Sequence, residues 1–123
     1  MAEFVIREMK PGDYQEVFAL WQEAEGIGLS SADSEANIRK FLERNPSISF
    51  VALHNGRITG TILCGHDGRR GYIYHLFVAE HHRKKGVGRS LAAKSLERLK
   101  EEGIDKCHLF VFARNELGRN FWI

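Results

Sequence analysis

A basic loop with two glycines is the part of this sequence best suited to chemistry. It contains His81, His82, three consecutive cations at 83–85, Gly86 and Gly88. Paired glycines at the start of a helix leave backbone N–H groups unobstructed by side chains, and the helix dipole adds positive potential at the same point. The loop is therefore predicted to bind the phosphate oxygens of an anionic ligand.

The spacing of the glycines excludes two familiar phosphate-binding loops. A Walker loop needs Gly-x-x-x-x-Gly-Lys-Ser/Thr and a dinucleotide loop needs Gly-x-Gly-x-x-Gly, whereas the third residue after Gly88 is Leu91. The pattern that remains is Arg-x-x-Gly-x-Gly, beginning at Arg83.

The elements on either side must position this loop. Residues 72–78 are aromatic and β-branched, as in a buried strand, while the apolar residues of 88–102 recur at helical spacing. The sequence therefore predicts a strand, the basic loop and a helix in succession.

The loop and its flanking elements resemble a known superfamily. The pattern from Arg83 to Gly88, led in by a strand that ends in Leu76-Phe77-Val78-Ala79-Glu80, is similar to the pyrophosphate-binding signature of the GNAT superfamily of acyl-CoA-dependent N-acetyltransferases. The resemblance implies an enzyme that transfers an acetyl group from its co-substrate acetyl-CoA to a primary amine of a small molecule or protein, by direct attack. The alternative is a non-catalytic acyl-CoA-binding or sensing module.

The resemblance also implies which residues contact the co-substrate. Backbone groups at the strand end pair with the pantetheine arm of coenzyme A, and these are Leu76, Phe77 and Val78. The loop and the first helical turn contact phosphate through Arg83, Lys84, Lys85, Gly86, Val87, Gly88, Arg89 and Ser90. Asn115 matches the asparagine that reaches the cofactor from the next helix, and Phe121 matches the aromatic residue beside it.

Acetyl transfer predicts three candidate catalytic residues. The backbone N–H near Phe77 is expected to stabilise the tetrahedral oxyanion. Tyr74 and His75 lie close to it in sequence and are candidates for proton transfer, because an alkyl ammonium with a pKa near ~10 must lose its proton before it attacks. Glu80, also near in sequence, and His54 and His66, from neighbouring strands, are alternatives. Many family members use a tyrosine of the last helix as the acid, but Trp122 stands there, and its indole is not a practical acid.

A regular strand would divide the side chains around these candidates between its two faces. One face carries Tyr72, Tyr74, Leu76 and Val78, and the other carries Ile73, His75 and Phe77. We expect the tyrosine face to border the acceptor cavity and His75 to be buried and hydrogen-bonded under a helix.

The candidate contacts of the amine acceptor are Trp21, Ile27, Leu29, Tyr72 and Tyr74. Trp21 ends an apolar helical face that is predicted to belong to the core, and it is also the residue of that face placed to line a pocket. The resemblance makes Ile27 and Leu29 part of the loop between the first two helices, which commonly contacts the acceptor.

The predicted fold is a single α/β domain over residues 1–123, with a mixed sheet and the element order βααβββαβα. Asn55-Gly56 is a strong hairpin sequence, and Asp67-Gly68 marks a second tight turn. A right-handed crossover makes the strand at 106–112 parallel to 72–78. This order matches the GNAT fold without its C-terminal strands, so a second copy in a homodimer, or a swapped element, is expected to cover the open strand edge.

Composition restricts the class of protein and its partners. A net charge of +2 is too small to predict a nucleic-acid partner, and no apolar stretch predicts a membrane span or a signal peptide. Cys64 and Cys107 are expected to be buried free thiols in a reducing, cytoplasmic setting. His81-His82 has no third ligand at a suitable spacing, so no metal site is predicted.

Overall fold

The computed structural model describes residues 4–24 and 29–109. In chain order its helices and strands are β1 (Val5–Glu8), α1 (Tyr14–Gln22), α2 (Glu35–Arg44), β2 (Phe50–His54), β3 (Arg57–His66), β4 (Arg70–Val78), α3 (Val87–Glu101) and β5 (Lys106–Leu109). This order agrees with the prediction as far as β5, and the final predicted helix lies outside the described residues. None of the helices within these ranges is long and apolar enough to cross a membrane.

The five strands form one sheet in the order of the chain, from β1 to β5. The first four strands pair antiparallel with their neighbours, whereas β4 and β5 are parallel. Two parallel neighbours need a long crossover connection, and α3 supplies it. The predicted mixed sheet is confirmed.

The helices cover both faces of the sheet and divide the core in two. On the α3 face, Leu91 packs in one cluster with Ile62 of β3. On the α1/α2 face, Val17 and Ile38 pack in a second cluster with Leu63 of β3. Successive residues of β3 therefore serve opposite cores, as strand geometry requires.

Local sequence explains how α1 and α2 are held on their face. Ser34 caps α2 by accepting a hydrogen bond from the N–H of Asn37 at 3.2 Å, and the helix ends shortly before Pro46, since the residue preceding a proline disfavours helix. Asp13, at the start of α1, accepts two hydrogen bonds of 2.8 Å from the guanidinium of Arg7 in β1. The first helix is thereby tied to the edge of the sheet.

Two irregularities interrupt the pairing of β3, one against β2 and one against β4. At the second, His75 and Leu76 of β4 together face the single residue Ile62, and His75 has a φ angle of +49°. A left-handed backbone is rare for a residue with a side chain, so this bulge must be stabilised by its surroundings.

The bulge changes the predicted division of the β4 side chains. The α3 face receives Ile73, Leu76 and Val78. The α1/α2 face receives Tyr74, His75 and Phe77. The inserted residue puts Tyr74 and His75 side by side on one face, so the predicted separation of the tyrosine face from His75 is wrong.

The two cysteines differ in burial. Both are free thiols, but only Cys64 is buried, while Cys107 on β5 is half-buried, which corrects the prediction for that residue. A hydrogen bond with Cys107, together with burial, raises the pKa of the Cys64 thiol. The same bond lowers the pKa of Cys107.

Candidate active site

The basic loop has a defined backbone that turns β4 into α3. Residues Glu80–His82 form a short 3₁₀ turn. Lys84 and Gly86 have positive φ angles of 63° and 84°, and α3 begins directly afterwards, with the N–H of Ser90 donating to the carbonyl of Gly86 at 3.0 Å. Glycine adopts this left-handed backbone at no steric cost, which explains its presence at 86.

The turn leaves a row of backbone N–H groups available. Within residues 4–24 and 29–109, the N–H groups of residues 84–89 have no hydrogen-bond acceptor. The first turn of α3 carries no acidic residue, and Lys84, Lys85 and Arg89 are exposed around it. Unpaired amides, a helix N-terminus and surrounding cations together favour a bound anion.

Packing among the described residues does not explain why position 88 is glycine. A Cβ atom added there would meet only Cγ2 of Val78, at 3.5 Å, which is an ordinary contact. The missing side chain therefore favours the close approach of a ligand to the backbone. Val87 differs, because its side chain is buried and only its N–H is placed to bind.

Arg83 connects the loop to the end of β4. Its Nε–H donates to the carbonyl of Val78 at 2.8 Å, and its guanidinium lies 5.3 Å from the centre of the Phe77 ring. Its terminal N–H groups have no acceptor in the part of the chain that the structure describes, so they are available to an anion.

The histidines beside the loop form no metal site with other described residues. No group of three or more His, Cys, Asp or Glu side chains suited to a metal occurs in residues 4–24 and 29–109. The ring of His82 lies 5.0 Å from that of His54. Burial, and then the positive charges of His54, Lys85 and His81, lowers the pKa of His82, so its ring is mostly neutral at neutral pH and adds little charge to the loop.

The amide of Phe77 is turned toward β3. The N–H of Ala79 donates to the carbonyl of Thr59 at 2.7 Å, and hydrogen-bonded pairs alternate along antiparallel strands. The next hydrogen-bonded pair is therefore Thr61 and Phe77, which are direct partners in the register. The expected role of the Phe77 N–H as oxyanion donor is thus wrong, because the register commits this group to the sheet.

The opposite edge of β4 presents other groups. In a trans peptide the C=O and N–H point in opposite directions, and no described peptide is cis. The carbonyl of Leu76 and the N–H of Val78 therefore point away from β3. Pairing with β5 extends only to Ile73 opposite Leu109, so no strand among the described residues covers the edge beyond that point.

Buried side chains hold the bulge from the α1/α2 face. Nε2 of His75 lies 2.7 Å from Oδ1 of Asp33, which agrees with the predicted hydrogen bond, but His75 is half-buried and not buried as expected. The hydroxyl of Thr61 donates to the carbonyl of His75 at 2.9 Å, and the indole N–H of Trp21 donates to that hydroxyl at 2.9 Å.

Trp21 takes a different place from the one expected. Its side chain is fully buried, with its ring centre 4.6 Å from that of His75. A side chain without exposed surface cannot line the acceptor pocket, so that expectation is corrected. Trp21 instead packs against His75 and donates to Thr61 on the α1/α2 face of the bulge.

Asp33 joins the bulge to the loop expected to contact the acceptor. Its Oδ2 accepts a hydrogen bond from the N–H of Ser30 at 3.0 Å, while its Oδ1 meets His75. Leu29, directly before Ser30, is 36% exposed. An exposed aliphatic side chain attached so closely to the bulge suits an acceptor contact, whereas Ile27 lies outside the described residues.

The two tyrosines of β4 lie at different positions relative to the bulge. Tyr74 directly precedes it and meets Phe41 edge-on at 6.1 Å between ring centres. Burial, and then the charge of Tyr72, raises the pKa of Tyr74, so it keeps its proton at neutral pH. Tyr72 lies toward the turn end of the strand, where it stacks on His108 at 5.6 Å and its hydroxyl is 3.4 Å from Asp67.

Asp33 and Thr61 are the residues of this arrangement that sequence reasoning misses. Asp33 stands at a helix start, where a cap is expected, and Thr61 is one polar residue within a strand. No sequence pattern links either one to His75. Asn115, Phe121 and Trp122 lie outside the described residues.

A surface depression of about 270 Å³ lies at the other end of the β4–β5 pair. Its lining is Arg69, Arg70, Gly103, Asp105 and Lys106. Neither the loop nor the bulge borders it, so the candidate site is defined by its chemical groups and not by this depression.

Known proteins share both the sequence and the architecture described above. Residues 14–122 match the family model described as Acetyltransferase (GNAT) family. An acetyltransferase of Pectobacterium atrosepticum is 32% identical over 111 residues, which are 90% of this chain and 78% of that protein.

Solved structures show the same fold at lower identity. Ard1 of Thermoplasma volcanium gives a TM-score of 0.84 at 23% identity, over 97% of this chain and 78% of that one. The PaiA N-acetyltransferase of Thermoplasma acidophilum, solved in complex with coenzyme A, gives 0.80 at 17% identity, over 98% of this chain and 86% of that one. At these identities the likeness is one of fold.

Proposed function

The chain belongs to the acetyltransferase (GNAT) family, and on that premise we propose that it transfers the acetyl group of acetyl-CoA to a primary amine by direct attack of the amine on the thioester. The observation that carries the proposal is the row of N–H groups at residues 84–89 that have no acceptor among the described residues, directly after the edge of β4 that no described strand covers beyond Ile73. A ligand with a phosphate end and an extended amide arm fits both features at once.

The loop is the proposed binding site for the diphosphate of coenzyme A. Gly86 and Gly88 allow the diphosphate to approach the backbone N–H groups, and the first turn of α3 adds its dipole. Charge is added by Arg83, Lys84, Lys85 and Arg89, with the Ser90 hydroxyl as a further donor. The coenzyme A bound to the PaiA protein of the same fold supports this assignment. Asn115 and Phe121 are proposed contacts on sequence resemblance alone.

The pantetheine arm is proposed to run along β4 from the loop toward the bulge. The Val78 N–H and the Leu76 carbonyl are a donor and an acceptor that point to this edge, which is what an added extended chain requires. The Val78 carbonyl is already bonded to Arg83 and takes no part. This direction brings the thioester to the peptide between His75 and Leu76.

The N–H of Leu76 is the proposed oxyanion donor, in place of Phe77. The His75 carbonyl is held by Thr61, and the trans peptide turns the Leu76 N–H the opposite way, away from β3. A fixed amide aimed at the thioester carbonyl stabilises the negative charge that develops on its oxygen.

His75 and Tyr74 are proposed to carry the two protons. A carboxylate only accepts, so the Nε2–H of His75 donates to Asp33 and leaves Nδ1 as the basic nitrogen, which takes the amine proton directly or through water. As the new C–N bond forms and the C–S bond breaks, Tyr74 protonates the departing thiolate. Its raised pKa keeps that proton available at neutral pH.

The acceptor amine is proposed to approach from the loop that carries Leu29, with Ile27, Tyr72 and Tyr74 around it. Asp33 holds this loop to the bulge, so the acceptor side and the thioester side share one anchor. The acceptor is a small-molecule or peptide amine.

Two measurements on the purified protein test this function. Calorimetry with coenzyme A measures binding, and thiol release from acetyl-CoA measures turnover with a panel of small amines, polyamines, aminoglycosides and peptide N-termini. We expect binding together with thiol release for at least one class of amine. Binding without release for every amine would instead favour a non-catalytic acyl-CoA-binding module, and absence of binding would contradict both.

The homodimer and the cytoplasmic location expected from the sequence stay predictions. The strand edge that a second copy was expected to cover includes residues beyond Leu109, which the structure does not describe. Sedimentation at micromolar concentration tests the dimer, and a monomer would contradict it.

A further inference from the structure

We propose that Thr61, seated by Trp21, is a positioning residue for the acetyl transfer. Its hydroxyl fixes the peptide plane between His75 and Leu76 and thereby aims the Leu76 N–H at the thioester carbonyl. The inference rests on the proposed function, but it concerns residues of β3 and α1 that touch neither substrate.

The hydrogen bonds around Thr61 can run in one direction only. An indole N–H is only a donor, so Trp21 donates to the Thr61 hydroxyl at 2.9 Å. A carbonyl is only an acceptor, so the hydroxyl must donate its single proton to His75 at 2.9 Å. With one lone pair engaged by the indole, the Thr61 hydroxyl directs its proton to the carbonyl of His75 at the bulge.

Burial makes this chain of hydrogen bonds strict. Thr61 and Trp21 are both fully buried, so the Thr61 hydroxyl and the indole N–H have no water partner in reach, while the accepting residue His75 is half-buried. A buried donor or acceptor that loses its partner bears the full cost of desolvation. Other orientations of the His75 carbonyl are therefore disfavoured.

The bulge needs such a restraint because its backbone is unusual. His75 adopts a φ angle of +49°, a conformation that residues with side chains persist in only when their surroundings impose it. Thr61 holds the carbonyl of this residue and Asp33 holds its ring. Because the carbonyl and the ring of His75 are both held, the N–H of Leu76 is fixed in one direction.

The central test compares Thr61→Val with Thr61→Ser. Valine keeps the shape and removes the hydroxyl, whereas serine keeps the hydroxyl. For Thr61→Val we expect kcat to fall roughly tenfold to a hundredfold, the size of effect that follows from misaligning a reacting group. The KM for acetyl-CoA and the Kd for coenzyme A should stay within about twofold, because the loop at 84–89 is untouched. Serine should restore most of kcat.

A double variant separates positioning from stability. Thr61→Val leaves the Trp21 indole without an acceptor, so the single change also destabilises the fold. In Thr61→Val with Trp21→Phe both polar groups are removed; compared with Trp21→Phe alone, which carries the cost of the smaller buried ring, the unfolding midpoint should recover while kcat stays low. Recovery of kcat along with the midpoint, or an unchanged kcat in Thr61→Val, would overturn the proposal.

A binding measurement gives a readout that does not depend on any acceptor. The amide chemical shift of Leu76 in the acetyl-CoA complex, compared with the coenzyme A complex, reports the hydrogen bond to the thioester carbonyl. We expect a clear difference in the wild-type protein that disappears in Thr61→Val while coenzyme A still binds. If the difference persisted in Thr61→Val, Thr61 would not aim this group. Absence of turnover with all amines, by contrast, would count only against the catalytic function.

Discussion

Two histidines at different ends of the β3–β4 pair are each hydrogen-bonded to a carboxylate, in very different surroundings: His66 ends β3 beside the turn, and His75 lies at the bulge of β4. Near the turn, Nε2 of His66 lies 2.8 Å from Glu102, and the side chains are 23% and 43% exposed. At the bulge, Nε2 of His75 lies 2.7 Å from Asp33, and the side chains are 13% and 8% exposed. The contact distances are nearly equal, so distance alone does not distinguish a surface tie from a site.

The backbone around each pair accounts for the difference. At the turn end, Gly71 lies between β3 and β5 in regular pairing, and its missing side chain is required by Leu99. At the bulge end, the strand is irregular, one edge lacks a partner among the described residues, and the missing side chain of Gly88 is required by nothing in the described protein. The regular end at the turn is packed for stability, and the irregular end at the bulge is where we propose that the ligand binds.

The largest effect is expected on coenzyme A affinity, from a bulky side chain at position 88. Gly88→Leu places a side chain in front of the unpaired N–H groups at 84–89, and we expect affinity for coenzyme A to fall by more than about a hundredfold, or about 2.7 kcal/mol. The fold should persist, because a Cβ atom at 88 makes only an ordinary contact. Calorimetry measures the affinity for coenzyme A, and circular dichroism measures whether the fold persists. Gly12→Leu is the matched control, since Gly12 is exposed with no atom near its Cβ position, and unchanged affinity in Gly88→Leu would refute the assigned loop.

The next effect concerns the proton for the thiolate. Tyr74→Phe keeps the ring against Phe41 and removes the hydroxyl, so kcat should fall about a hundredfold, as for loss of a general acid. Affinity for coenzyme A should not change. Steady-state kinetics with a reactive amine from the panel measure kcat, and an unaltered value would remove Tyr74 from the mechanism.

A smaller loss of kcat is expected when the buried carboxylate of Asp33, which holds His75, is changed to an amide. Asp33 accepts from both Ser30 and His75, and in Asp33→Asn one oxygen becomes an NH₂ group, so one of the two bonds is lost. We expect kcat to fall about tenfold from misplacement of His75 and the free energy of unfolding to fall by about 1 to 3 kcal/mol. Kinetics and denaturant titration measure these changes, and a stability loss with normal kcat would make the pair purely structural.

At the turn end of β4, a substitution of Gly71 should lower stability and leave activity unchanged. A Cβ atom at Gly71 would lie 2.6 Å from Cδ1 of Leu99, which is itself fully packed in the core. Gly71→Ala should therefore cost about 1 to 3 kcal/mol of unfolding free energy through overpacking. The Kd for coenzyme A and the kcat of the folded protein should match the wild type. A large change in kcat would show that the two ends of β4 are coupled.

The smallest effect is expected at the exposed histidine pair. Glu102→Gln removes the charge that faces His66, and an exposed pair of this kind contributes less than about 1 kcal/mol to stability. Activity should not change. This variant is the counterpart of Asp33→Asn, and an equal loss of kcat in both would remove the distinction between the two ends.

Sequence patterns predicted the elements correctly wherever a local rule governs the backbone. Asn55 and Gly56 form the expected tight turn, with φ angles of 51° and 78°, and β3 fills the chain between this turn and the one at Asp67-Gly68. Gly103 closes α3 with a φ angle of 83°. The glycine loop could also be predicted, because the left-handed backbone at position 86 is one that glycine adopts readily, and glycine is found there in the sequence.

Apart from the burial of Cys107, the errors lie at or around the bulge. A period of two along β4 predicted opposite faces for Tyr74 and His75 and an available N–H on Phe77, and one inserted residue at His75 reversed both. The sequence places Trp21 beside a pocket because the spacing of apolar residues shows which face of α1 is apolar, but it does not show how deeply the last residue of that face is buried. Asp33 and Thr61 lie far from His75 in sequence, and no local pattern refers to either.

The sequence by itself determined the family, the order of the elements as far as β5 and the backbone of the glycine loop, because each depends on residues that are neighbours in the chain. Only the tertiary structure decided which backbone groups of β4 are available and which side chains hold them. Hydrogen-bond direction in a strand depends on its register with the next strand, and a left-handed residue such as His75 persists only when distant side chains meet around it.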